Sequence, residues 1–239
     1  MKRINLNLNK MNILNGFIYI SLLINTSCND LENKKQPPKD DKINSSYSLT
    51  EIDSIYKKII KNCDIWVKSW KDVSNNFDIT KFKFENKDSC KSCGNWDKYI
   101  VDNDFLALYN DILFYSFNKS MIVDIYSNKT ILTKKENRLI ATFDADTKVY
   151  VIDLNNKKSK LLFTSGTIEM YNDCLWIDSD NFALLGSRSE YVNNIESFRP
   201  FIWIYNIKNN VYNIYSDSKT YQKYNTGYFF NRFKNISDK

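Results

Sequence analysis

The spacing of apolar residues changes once along this chain, and that change bounds the fold. Ile52, Ile55, Tyr56, Ile59, Ile60, Cys63, Trp66, Val67 and Trp70 recur at steps of three and four. This period lines them along one face of a helix. Lys57, Lys58, Lys61, Lys68 and Lys71 fall mostly on the other face. Ser48 or Thr50 can cap the helix, and Glu51 and Asp53 lie in the first turn, where the helix dipole favours negative charge. An amphipathic helix is therefore expected near residues 50–66, packed on a core. After Trp70 no stretch of similar length keeps the helical period.

Short runs rich in aromatic and branched residues follow at 105–109, 112–117, 121–126, 139–143, 148–154, 161–163, 175–177, 182–185, 201–207 and 211–215. Asn, Asp, Ser and Lys separate them, as turns require. Val149, Tyr150, Val151 and Ile152 are apolar in succession, the pattern of a strand covered on both faces. The expected fold is mainly β: an antiparallel meander, propeller-like blades or a sandwich, with the one N-terminal helix. Residues 48–239 are long enough for a single β-rich domain with a real core. Tyr109, Trp176 and Trp203 are expected to be largely buried. Residues 186–200 read as a connection far longer than neighbouring strands need, in which Arg188, Tyr191 and Arg199 are candidates to read an anionic or planar partner.

The N-terminus has a different character. Lys2, Arg3 and Lys10 precede an apolar stretch at 13–24 that is too short to span a bilayer as a helix. Thr26, Ser27 and Cys28 follow. The sequence Leu23-Ile24-Asn25-Thr26-Ser27-Cys28 resembles the lipobox of bacterial lipoproteins, with Asn25 where leucine is usual. The resemblance implies a signal peptide at 1–27 and lipid attachment at Cys28. It also implies location in the bacterial cell envelope, anchored in a membrane and either periplasmic or surface-exposed. Residues 28–47 are polar, carry Pro37-Pro38 and lack periodicity, so they are expected to form a flexible tether.

A faint repeat runs through the β region. Asp102-Asn103-Asp104, Asp144-Ala145-Asp146 and Asp178-Ser179-Asp180 each lie beside a run. Ile122-Val123-Asp124-Ile125, Val151-Ile152-Asp153-Leu154 and Ile204-Tyr205-Asn206-Ile207 also echo one another. A period near forty residues, with about four strands per unit, loosely resembles WD40- or PD40-type β-propeller blades. If so, the stretches around Val123, Ile152 and Tyr205 should hold equivalent places in successive sheets. In one continuous meander they would share a sheet.

Beyond Cys28 the chain has four cysteines, Cys63, Cys90, Cys93 and Cys174. In an oxidising compartment an even count points to disulfides, and all four are expected to be oxidised. Cys90-Lys91-Ser92-Cys93 also matches half of a zinc knuckle or a redox motif. The disulfide reading is preferred, because no second such pair exists and polar residues precede it. No metal and no cofactor are expected. The Asp178 turn lacks the glycine and glutamate of a calcium loop, having Ala183 and Ser189 instead. The tripeptides Asn118-Lys119-Ser120 and Asn128-Lys129-Thr130 read as chance sequons.

The chain contains no histidine. That removes Ser-His-Asp and Cys-His catalysis and His-ligated zinc or haem. The glycines at 16, 94, 166, 186 and 227 form no phosphate-binding loop. Loss of Lys2, Arg3 and Lys10 with a signal peptide lowers the formal charge from +6 to about +3, which gives no reason to expect nucleic acid. No catalytic residue is assigned. The expectation is a non-enzymatic binding module for an envelope protein or glycan. The alternatives are an enzyme using carboxylates on an extracellular glycan or peptide, and an inhibitor or immunity lipoprotein acting against a toxin.

Overall fold

The computed structural model describes residues 47–90, 93–99, 101–136, 138–224 and 226–238. The expected signal peptide, Cys28 and all of the tether except Tyr47 lie outside the described residues. The fold is mainly β, with antiparallel sheets.

The helical period becomes two helices, α1 (Leu49–Asn62) and α2 (Asp64–Val73). Ser48 starts α1 with a capping box: its Oγ accepts from Glu51 N at 3.3 Å, and the Glu51 carboxylate accepts from Ser48 N at 2.7 Å. The helix direction breaks at Cys63, yet the apolar stripe crosses the break. Ile52, Ile55, Tyr56 and Ile59 are buried in α1, and Trp66, Val67 and Trp70 in α2. Trp66 is fully buried, its ring 5.9 Å from Phe77 and 6.5 Å from Phe82.

Two four-stranded meanders follow. The first contains β3 (Phe114–Tyr115), β4 (Met121–Asp124), β7 (Thr147–Asp153) and β8 (Lys158–Ser165). The second contains β9 (Glu169–Trp176), β10 (Asn181–Val192), β11 (Ile195–Asn206) and β12 (Val211–Ser216). Each gains an edge strand from upstream: β1 (Lys83–Ser89) pairs with β12, and β2 (Asp97–Lys98) with β8. A hairpin of β5 (Thr130–Lys135) and β6 (Arg138–Phe143) is inserted into the first meander, and β13 (Ile236–Asp238) adds to it in parallel.

The meanders share one core. Val123, Val149, Val151 and Leu162 from the first meet Phe182, Leu184, Phe201, Trp203 and Tyr205 from the second. Trp176 Nε1 donates to the Phe114 carbonyl at 2.9 Å across this interface. On the outer face of the second meander, Ala183, Leu185, Ile202 and Ile204 pack under α1 and α2. On the outer face of the first, Ile122 and Ile152 pack with Phe105, Leu106 and Tyr109 of α3 (Asn103–Tyr109). Both central strand pairs are thus covered on both sides, as their consecutive apolar residues require.

The repeat has a structural counterpart. Ile152 and Tyr205 both lie on the third strand of their meander, and the turns after them match. Asp153 Oδ1 accepts from Asn156 N at 2.9 Å, and Asn206 Oδ1 accepts from Asn209 N at 2.8 Å. Lys157 and Asn210 close those turns with φ of 51° and 54°. Val123 holds no equivalent place: it pairs directly with Val151 in the same sheet. Val151 and Tyr205 face the shared core while Ile152 and Ile204 face outward. The turn-matched pairs Val151/Ile204 and Ile152/Tyr205 therefore point opposite ways, so the meanders stack front to back. The described residues hold two such units, and these do not close into a ring.

Three expectations are corrected. Residues 105–109 are not a strand but part of α3. Asp102 Oδ1 accepts from Phe105 N at 2.7 Å and caps the helix, and Tyr109 is only half-buried on the outer face. Trp176 and Trp203 are buried as expected. Residues 186–200 are not a long loop: β10 and β11 run through them in unbroken register from Asn181↔Asn206 to Val192↔Ile195. Asn193 and Asn194 form the tight turn with φ of 53° and 64°, a conformation asparagine tolerates without glycine.

Candidate functional site

Three connections and the C-terminal helix meet at one end of the stacked sheets. They are the β4–β5 turn, the β6–β7 connection, the β8–β9 turn and α4 (Tyr228–Arg232). They enclose a cavity of about 280 Å³. Tyr126, Phe143, Phe229 and Phe230 give it an aromatic wall in which Phe143 stands edge-on to Phe229 at 5.0 Å and to Phe230 at 5.8 Å. Phe143 is half-exposed at the mouth. Asn172, Tyr224 and Thr147 supply polar groups, and the Asn172 amide donates to the Tyr224 hydroxyl at 2.6 Å.

The turn that carries Lys129 is held by a buried carboxylate. Asp124 accepts from Tyr126 N at 3.0 Å, from Ser127 N at 2.9 Å and from the Ser127 hydroxyl. Burial raises the pKa of Asp124, and these donors oppose that rise. Lys129 N and Thr130 N both bond the Tyr126 carbonyl, closing the turn. The Lys129 amine then reaches the cavity, 3.5 Å from the Tyr171 carbonyl and 5.0 Å from the centre of the Tyr126 ring. Burial pushes its pKa down to about 8.

The opposite wall is fixed by Asp173 on β9, which is fully buried. Its carboxylate accepts from the Tyr228 hydroxyl at 2.6 Å and from Cys174 N at 2.9 Å, with Arg232 at 3.3 Å. Burial raises the pKa of Asp173, and Arg232 and Tyr228 oppose it. A buried carboxylate needs such partners, and they draw α4 against the sheet.

The residues singled out from sequence lie elsewhere. Arg188 bonds Glu85, and Arg199 bonds Glu190 at 2.8 Å, so both guanidinium groups already have carboxylate partners. Tyr191 is exposed near the tip of the β10–β11 hairpin, with Val192 and Ile195. Ser189 N donates to the Ile168 carbonyl at 2.7 Å, which sets the base of this tip beside the β8–β9 turn. Of the four cysteines, Cys90 and Cys93 form a disulfide where the chain crosses from β1 to β2, from one sheet to the other. Cys90 N donates to the Asn210 carbonyl at 2.8 Å and Gly94 N to the Leu161 carbonyl at 2.9 Å, so the crossover is tied to both sheets. Cys63 and Cys174 are buried thiols, which corrects the expectation of four oxidised cysteines. Cys63 lies at the α1–α2 break and Cys174 on β9 facing the shared core, so the sheet separates them. Among the described residues no three cysteine or acidic side chains gather as a metal-ligand set.

Lys129 and the aromatic wall are not evident from the sequence, because the cavity joins residues from four separate segments. Asn128-Lys129-Thr130 read only as a chance sequon. No protein-family model matches the chain, and no curated protein or solved structure is significantly similar to it.

Proposed function

We propose that this chain is a membrane-anchored envelope lipoprotein that works as a non-enzymatic binding module, and that the aromatic cavity takes one ring of a glycan. The cavity carries the reading: aromatic faces for the apolar side of a sugar ring stand beside an amide and hydroxyls for its oxygens. At about 280 Å³ it lies at the small end of ligand pockets, suited to one ring rather than a chain. Asp144 is the one carboxylate among its described lining residues, and glycoside hydrolysis ordinarily uses two.

The placement of Tyr47 suits a tethered protein. Its hydroxyl donates to Asn181 Oδ1 at 3.1 Å, where β10 begins. Met170 of the cavity pairs with Ser187, about 20 Å further along that strand at the usual rise. A tether from Cys28 would therefore join the described domain at the end of β10 remote from the cavity.

Two measurements test this reading. Labelled palmitate should enter the wild type and not Cys28→Ala. An array of envelope glycans should retain the mature lipoprotein, and Phe143→Ala with Phe230→Ala should abolish retention without changing the circular dichroism spectrum. Equal labelling of both chains would remove the anchor, and equal retention would remove the cavity. A second reading rests on the exposed Tyr191, Val192 and Ile195 at the hairpin tip, an apolar cluster suited to a protein partner. Pull-down of an envelope protein that is lost in Tyr191→Ser, with glycan retention unchanged, would favour it.

A further inference from the structure

The cavity holds a cation, Lys129, that makes no ion pair among the described residues. Lys129 is the one basic side chain among the described residues that line it. Its amine can donate three hydrogen bonds, yet the described residues offer one long contact to the Tyr171 carbonyl at 3.5 Å and the face of Tyr126. Asp144 lines the same cavity, and its backbone N–H donates to the Lys129 carbonyl at 2.7 Å. Its carboxylate turns instead to its own turn, where Oδ1 accepts from Ala145 N at 2.7 Å. The Tyr228 hydroxyl is spent on Asp173, and the Tyr224 hydroxyl accepts from Asn172.

A partly buried ammonium discriminates strongly. A neutral guest removes more of its water and returns no charge, whereas a carboxylate supplies the missing acceptor. We infer that the ring bound in this cavity carries a carboxylate, as in a uronic or sialic acid, and that the Lys129 ammonium is the group that reads it. This rests on the glycan-binding reading and narrows it to acidic sugars. The carboxylate would meet Lys129 at the inner wall while the ring lies against Phe143 and Phe230 at the mouth. A free sugar acid and the terminal unit of an acidic glycan present the same chemistry.

The charge on Lys129 also sets a pH limit. The groups facing it are Tyr126 on its own turn, Asp144 from the β6–β7 connection, the Tyr171 carbonyl on β9, Tyr224 from the segment before α4, and Tyr228 on α4. Burial pushes Tyr126, Tyr224 and Tyr228 upward, so they stay neutral while Lys129 loses its proton near pH 8. A sugar carboxylate is ionised throughout that range. Affinity for an acidic ring should therefore fall as pH rises through 8.

The test is calorimetric titration of the purified mature lipoprotein in detergent. The probes are glucuronate against glucose, galacturonate against galactose, and a disaccharide ending in glucuronate. At pH 6.5 each acid should bind about tenfold to a hundredfold more tightly than its neutral partner, the range of one charged hydrogen bond. The preference should vanish at pH 9.5 and in Lys129→Met. Stronger binding of the disaccharide than of free glucuronate marks a glycan terminus as the source, and the reverse marks the free acid. Equal affinity for acid and neutral sugars overturns the inference and leaves the glycan-binding reading standing. An acid preference that survives in Lys129→Met overturns the role of Lys129. If no probe binds at either pH, the cavity reading falls with it. Should Lys129→Met not fold, the pH profile of the wild type decides the question.

Discussion

The Tyr228 hydroxyl donates to the buried carboxylate of Asp173 at 2.6 Å, and this bond fixes one wall of the cavity. Asp173 sits on β9, and Tyr228 opens α4, a helix too short to hold itself in place. Tyr228→Phe leaves the carboxylate short of a donor and should lower stability by about 1–3 kcal/mol. Asp173→Ala strands Arg232 and should cost about 3–5 kcal/mol. Urea titration measures both, and hydrogen exchange should show faster opening at residues 228–232 in Tyr228→Phe. Unchanged exchange there would mean that the bond does not hold the wall.

Lys129 should be a liability to folding. Its pKa is about 8 in the folded protein and about 10.4 in an unfolded chain. Between those values the unfolded chain binds more protons, so stability rises as pH increases through this window. The penalty is fully present below pH 8. Lys129→Met should raise stability at pH 7 by on the order of 1–2 kcal/mol, a figure discounted for the partial exposure of the amine. Differences between wild type and variant from pH 7 to 9.5 isolate this group, because the other titrations are common to both chains. A variant less stable than wild type at pH 7 would contradict the account.

The cysteines should separate into two classes. Burial pushes the Cys63 thiol up, with Asp173 adding to the effect, and burial does the same to Cys174. Neither should react with a thiol reagent in the native protein, and two thiols per mature chain with Cys28 lipidated should appear on denaturation without reductant. Four thiols, or none, would contradict this assignment. The Cys90–Cys93 disulfide closes a very short loop, so Cys90→Ser with Cys93→Ser should cost only about 2 kcal/mol by chain entropy. Thermal melting checks this.

Gly186 is required by contact rather than by turn geometry. A Cβ added there would lie 2.2 Å from the Met170 carbonyl oxygen and 2.7 Å from the Phe201 ring. Backbone on a paired strand cannot yield cheaply, so Gly186→Ala should lower stability by about 2–3 kcal/mol or more. Gly166 has nothing within 4 Å of its added Cβ, and Gly166→Ala at the cavity rim should be nearly neutral. Similar melting temperatures for the two variants would refute the contact argument.

Much of the architecture was legible in residue order. The capped helix start at Ser48 and Glu51, the apolar stripe from Ile52 to Trp70 and the doubly covered strands are local patterns, set by repeat period and by side-chain type. The match between Ile152 and Tyr205 was legible for the same reason, because each precedes an Asx-stabilised turn. Asp102 misled because one residue type serves two purposes. It caps α3, whereas Asp178 accepts from Asp180 N and Asn181 N in a tight turn. Gly186 to Pro200 read as a loop because its polar residues lie on a hairpin that projects beyond the shared core.

The sequence by itself determined the helical start, the β character of the remainder, the lack of histidine chemistry and the lipobox-like N-terminus. Only the tertiary structure decided which cysteines meet, which arginines already have partners, and that Lys129 stands among Tyr126, Phe143 and Phe230. The reason is distance along the chain. A period or a cap is complete within a few residues, whereas the cavity joins four segments spread from Tyr126 to Phe230. Their meeting depends on how two sheets stack and on one buried carboxylate holding α4 in place.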